Sequence, residues 1–147
     1  MARTFLKGKV ESLNDYARYD AGVALDVTPG DGDTGTSTVT MYPDKIVIYI
    51  DALISTKYFE FDAPVDIRIL DGHIAHSSSV RTRLTVYVDD NSLTDLSSAT
   101  SAGSDPEISR FFAFNTDNWD ADCGDTIRIQ NSGNTFTGYL ILSIIRK

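Results

Sequence analysis

The sequence predicts an all-β fold, an antiparallel β-sandwich of jelly-roll type with at most one short N-terminal helix. Three observations carry that expectation. Hydrophobic residues recur with a period of two almost everywhere, the alternation of a strand that buries one face. The alternating runs are rich in Val, Ile, Thr, Tyr and Phe, and Gly, Pro, Asp and Asn punctuate them as turn formers. Helical periodicity is nearly absent, so about eight short strands must cover one another as packed sheets. At 147 residues the chain fits one domain. We divide it into a basic N-terminal arm, residues 1–9, and a single jelly-roll domain, residues 10–147.

Along the chain, the one helical candidate comes first. Val10 to Tyr19 places Leu13, Tyr16 and Ala17 on one side, enough for a turn or two, with no closing glycine until Gly22. Thr38–Tyr42 alternates as a strand, and Lys45–Ile50 follows across Pro43 and Asp44. Lys57–Phe61 is the next strand, ended by Asp62-Ala63-Pro64. Val65–Leu70 sets Val65, Ile67 and Ile69 on one face and Asp66 and Arg68 on the other, and Val80–Val88 repeats the pattern around Arg81 and Arg83. Leu93 to Pro106 is rich in Ser, Thr, Ala and Gly and reads as a long loop, with one helical turn near Leu93-Thr94-Asp95-Leu96. Arg110–Phe114, Thr126–Gln130 and Phe136–Ile145 complete the set. The last of these is unusual: Leu140, Leu142 and Ile144 fall on one face, and Tyr139, Ile141 and Ile145 on the other. A strand apolar on both sides is expected at the centre of a sheet, covered once by the core and once by another subunit.

Composition removes several functions. With 13 Lys+Arg against 21 Asp+Glu, the formal net charge is −8, unsuited to broad binding of phosphate backbones, so no nucleic-acid partner is expected. No apolar run approaches the ~20 residues of a membrane helix, so no membrane partner is expected either. Met1 to Lys9 lacks the apolar stretch of a secretory signal. Cys123 is alone, which excludes an intrachain disulfide. Its neighbours Asp120, Asp122 and Asp125 are the opposite of the electropositive setting a reactive thiol uses, so it is expected as a small, partly buried turn residue.

No catalytic constellation stands out. Acidic clusters occur at Asp26–Gly35, at Asp89-Asp90-Asn91 with Asp95, at Asp117–Asp125, and at Asp62 with Asp66. Calcium needs about six to eight oxygens, but the EF-hand spacing and its closing glutamate are absent, and Asp, Asn and Gly are also simply turn formers. His73 and His76, with Asp71 near, lie in what reads as a polar connection between strands, without an H-E-x-x-H pattern. Neither a G-x-S-x-G elbow nor a phosphate loop is present, and Glu11, Glu60 and Glu107 are the only glutamates. We therefore expect no catalytic residue, no metal, no cofactor and no enzyme activity. Tyr16, Tyr19, Tyr42, Tyr87, Trp119 and Tyr139 stand as candidates for a sugar platform. Trp119 is the best of them, and with Asp117, Asp120 and Asp122 it forms the alternative ligand site; the competing reading makes it a loop anchor.

Two resemblances give this outline a function. Gly124-Asp125-Thr126-Ile127-Arg128-Ile129-Gln130 followed by Thr135-Phe136-Thr137-Gly138-Tyr139-Leu140-Ile141 resembles the C-terminal hairpin of the trimeric jelly rolls of the complement-globular-head and tumour-necrosis-factor group. The resemblance is confined to that hairpin and implies the jelly roll and a homotrimer. As a small, acidic, Ser/Thr-rich β-sandwich with a short basic arm, the chain also resembles bacteriophage virion proteins of the capsid-decoration, cement and fibre-head types. Together they imply a structural protein, made in the host cytoplasm and residing in the virion, that decorates or cements a capsid through trimeric contacts. Tyr139, Ile141 and Ile145 would form the interface between copies. Arg3, Lys7 and Lys9 would reach an acidic patch on the major capsid protein or another virion partner. The alternative is a carbohydrate- or receptor-binding fibre head that uses Trp119 and the acidic loops.

Overall fold

A computed structural model describes residues 20–30, 37–76, 82–98, 107–111 and 119–147. The strands are β1 (Val23–Leu25), β2 (Thr28–Pro29), β3 (Thr38–Met41), β4 (Lys45–Leu53), β5 (Tyr58–Asp62), β6 (Ile67–His76), β7 (Thr82–Val88), β8 (Asn91–Ser98), β9 (Glu107–Phe111), β10 (Asp120–Ala121), β11 (Thr126–Asn131) and β12 (Phe136–Arg146). All pairings are antiparallel. One sheet runs β1-β3-β4-β12-β6, and β10 and β9 share the far edge of β6 at its two ends. The other runs β2-β5-β11-β7-β8.

The pairings show how the chain is wound. β4 lies against β12, β5 against β11, β6 against β9 and β10, and β7 against β8. Early strands pair with late ones in nested order, so one long antiparallel ribbon is rolled over itself. That winding is the jelly roll, and the fold is the β-sandwich that the alternation predicts.

The core is the set of inward positions from both sheets. Ile46, Ile48 and Ile50 of β4, Leu140, Leu142 and Ile144 of β12, and Ile67, Ile69 and Ile74 of β6 face Phe59 and Phe61 of β5, Ile127 and Ile129 of β11, and Leu84, Val86 and Val88 of β7. Each fully buried side chain of this size contributes roughly 1.5–3 kcal/mol relative to exposure. The alternation breaks at a bulge between Ser143 and Ile144, where Leu70 is the extra residue of β6. One polar residue belongs to this interior. Asn131 is fully buried, its Nδ2 donates to the carbonyls of Leu53 and Asn134, each at 2.7 Å, and its Oδ1 accepts from Gly133 N–H at 2.8 Å. It thus fastens the β11–β12 hairpin to the end of β4.

Several expectations need correction. Leu93-Thr94-Asp95-Leu96 is neither loop nor helical turn: Asn91–Ser98 is β8, paired along the length of β7, with Leu93 buried. Its polar composition hid it, because the exposed edge strand of a sheet needs few apolar residues. His73 and His76 are not in a connection, since β6 continues through them to pair with β12 and β9. Of the strand expected over Arg110–Phe114, Arg110 and Phe111 belong to β9, which begins earlier at Glu107, and residues 112–114 lie outside the described residues. Cys123 is exposed, not partly buried; it sits in a turn where its thiol donates to the Pro64 carbonyl at 3.2 Å. Strands β1, β2 and β10 are too short to show a period. The expected helix over Val10–Tyr19 and the arm residues Arg3, Lys7 and Lys9 lie outside the described residues.

Candidate functional site

Two outer faces and one corner of the sandwich gather the candidate residues. On the outer face of the first sheet, register sets Tyr49 beside Tyr139 and Ala75 in one row, and Val47 beside Ile141 and His73 in the next. The Tyr49 and Tyr139 rings lie 5.2 Å apart, tilted by 56°. With Thr38, Thr40 and Val47 they line a groove of about 370 Å³. Farther along the same face, Ile145 and the bulge residue Leu70 stand out. Among the described residues, the exposed large hydrophobics are Ile54 (45%), Leu70 (38%), Tyr139 (46%) and Ile145 (45%), and three of the four lie here. Ile141 between them is half-buried. Tyr139, Ile141 and Ile145 thus share one outer face along β12, with Tyr49 and Leu70 on the neighbouring strands. Tyr49 was legible only as an alternation residue; cross-strand register makes it Tyr139's neighbour. Among the described residues, the facing sheet covers the inner side of β12.

The corner holds Trp119 and Asp120. Arg68 Nε donates to Asp120 Oδ1 at 2.8 Å and its Nη2 to Oδ2 at 3.2 Å, while Lys147 Nζ reaches Oδ2 at 3.0 Å. The hydrogen bond from the Arg68 guanidinium, reinforced by Lys147, holds the Asp120 carboxyl down at about 2, and the same bond raises Arg68. Arg68 also stacks 4.7 Å from the Trp119 ring centroid, and Trp119 packs against the core. A ligand here would compete with Arg68 for the indole and with two cations for the carboxylate. The geometry is that of the loop anchor. Asp117, the fourth member of that set, lies outside the described residues.

The nearby carboxylates build turns. Asp122 N–H donates to Asp125 Oδ2 at 2.8 Å, and Cys123 N–H to Asp66 Oδ1 at 2.8 Å. Gly124 takes φ +94°, a conformation that favours glycine, and donates to the Ala63 carbonyl at 2.8 Å. Among the described residues, no three His, Cys, Asp or Glu side chains converge as a metal site.

The outer face of the second sheet is built differently. Arg128 of β11 sits opposite Glu60 of β5 and Tyr87 of β7. Its Nε lies 3.3 Å from Glu60 Oε2 and its Nη2 2.9 Å from Asp90 Oδ1. The guanidinium is 4.8 Å from the Tyr58 ring centroid and 5.8 Å from that of Tyr87. The turn joining β7 to β8 places Asp89 and Asp90 at φ 47° and 67°, both left-handed without being glycine. Asp89 Oδ1 accepts from Thr126 N–H at 3.0 Å. Glu60, Asp89, Asp90, Thr126 and Arg128 line an open cleft of about 230 Å³. Sequence reading missed Arg128 and Glu60 because each looked like an ordinary outward strand residue.

No protein-family model and no curated protein sequence matches the chain. Among solved structures it is similar to a family 35 carbohydrate binding module from Clostridium thermocellum, at 12% identity and a TM-score of 0.40, over 88% of this chain and 95% of that one. It is also similar to an active site mutant of a family two carbohydrate esterase from the same organism, at 10% identity and a TM-score of 0.37, over 84% of this chain and 31% of the esterase. A third similarity is to the catalytic domain of a family GH87 alpha-1,3-glucanase in complex with nigerose, at 10% identity and a TM-score of 0.38, over 82% of this chain and 27% of that domain. At these values the similarities carry no functional argument.

Proposed function

We propose that the chain is a non-catalytic structural module that associates with copies of itself through the outer face of the β12 sheet, as a decorating or cementing protein of a virion surface. The observation that carries the reading is that Leu70, Tyr139 and Ile145, each more than a third exposed, lie on one outer face, along and beside the central strand β12. Several large apolar side chains exposed on one face suit an interaction surface. The face also carries both halves of a contact. Ile145 and Leu70 protrude at one end, and the tyrosine-lined groove lies about 20 Å away, six residues back along β12. A protrusion and a recess at different places on one surface suit a head-to-tail contact, which closes into a ring such as a trimer. The virion setting and the docking arm of Arg3, Lys7 and Lys9 rest on sequence resemblance.

Light scattering on purified protein tests the assembly. The expected mass is a trimer, and Tyr139→Asp is expected to yield a folded monomer with unchanged far-UV circular dichroism. A wild-type protein that stays monomeric at high concentration would overturn the reading. Deleting residues 2–9 is expected to abolish attachment to the particle while the oligomer persists; a truncated protein that still attaches would remove the arm from the mechanism.

A further inference from the structure

We draw no further inference here: the strongest candidate, the groove lined by Thr38, Thr40, Val47, Tyr49 and Tyr139 on the outer face of the β12 sheet, belongs to the surface already proposed for self-association, and nothing in the structure shows what else would fill it.

Discussion

The two outer faces of the sandwich follow the same alternation and arrive at opposite surfaces. Along β12 the outward positions are Tyr139, Ile141, Ser143 and Ile145, with Tyr49, Ala75 and Val47 beside the first two and His73, Asp71, Lys45 and Arg68 as the polar neighbours. Along β11 they are Thr126, Arg128 and Gln130, and the neighbours supplied by register are Asp62, Glu60 and Tyr58 on one side and Tyr87 on the other. Both strands are central in their sheets, so position in the sheet does not explain the difference. A charged grid of this kind is satisfied within one chain and by water. An apolar face is satisfied only by covering it. The contrast teaches that one outer face pairs its charges within the chain, while the other leaves large apolar side chains exposed.

The largest effect separates the inner side of β12 from its outer side. Leu140→Ala is expected to destabilise the fold by about 2–5 kcal/mol in chemical denaturation, because it opens a cavity between the sheets. Tyr139→Ala, one residue away, is expected to leave monomer stability within about 1 kcal/mol. A similar loss at both positions would break the comparison.

Next comes the proposed interface. A charge at Tyr139, as in Tyr139→Asp, is expected to weaken self-association by about 2 kcal/mol or more, read as a rise in the dissociation constant by sedimentation. Asp122→Ala, on an exposed turn away from this face, is the matched control and is expected to leave association unchanged.

On the charged face, Asp90→Gly relieves a left-handed aspartate at the expense of an exposed ion pair with Arg128. Left-handed backbone costs a non-glycine residue roughly 1–2 kcal/mol and an exposed pair contributes about 0–1, so a small rise in the unfolding midpoint is expected. A marked fall would show that the pair with Arg128 outweighs the strain.

The smallest effect is acid sensitivity at the Trp119 corner. The folded Asp120 carboxyl is held at about 2, below its ordinary value of 3.8, so its contribution is present above about pH 4 and is lost as pH falls toward 2. The pair is one-third exposed, which limits the contribution to below about 1 kcal/mol. Asp120→Asn is expected to flatten this part of the acid-unfolding curve, and an unchanged curve would remove the Arg68–Lys147 clamp from the account.

How far each feature was legible follows from the range of the interaction behind it. The strands with strong alternation, such as Lys45–Leu53 and Phe136–Arg146, were visible because a strand's period is local. β8 was not, because its place comes from the free edge of β7 and not from its own hydrophobicity. Tyr139, Ile141 and Ile145 could be named because two-sided apolarity on one strand is itself a local signal. Arg128 and Glu60 could not, because they lie 68 residues apart in sequence and meet through pairing alone. Trp119 shows the same limit from the other side: as a loop tryptophan among acidic residues it suggested a ligand platform, until Arg68, 52 residues from Asp120, closed over it.

The sequence by itself thus determined that the chain is all-β, which side chains point inward, and that the last strand is apolar on both faces. These follow from a side-chain period of two, which the backbone imposes on every strand wherever it ends up. Only the tertiary structure decided which carboxylate meets which cation, that Tyr49 and Leu70 join Tyr139 and Ile145 on one outer face, and that β8 exists at all. Those depend on register between strands distant in sequence, and register is fixed by the collective fit of the core rather than by any one segment.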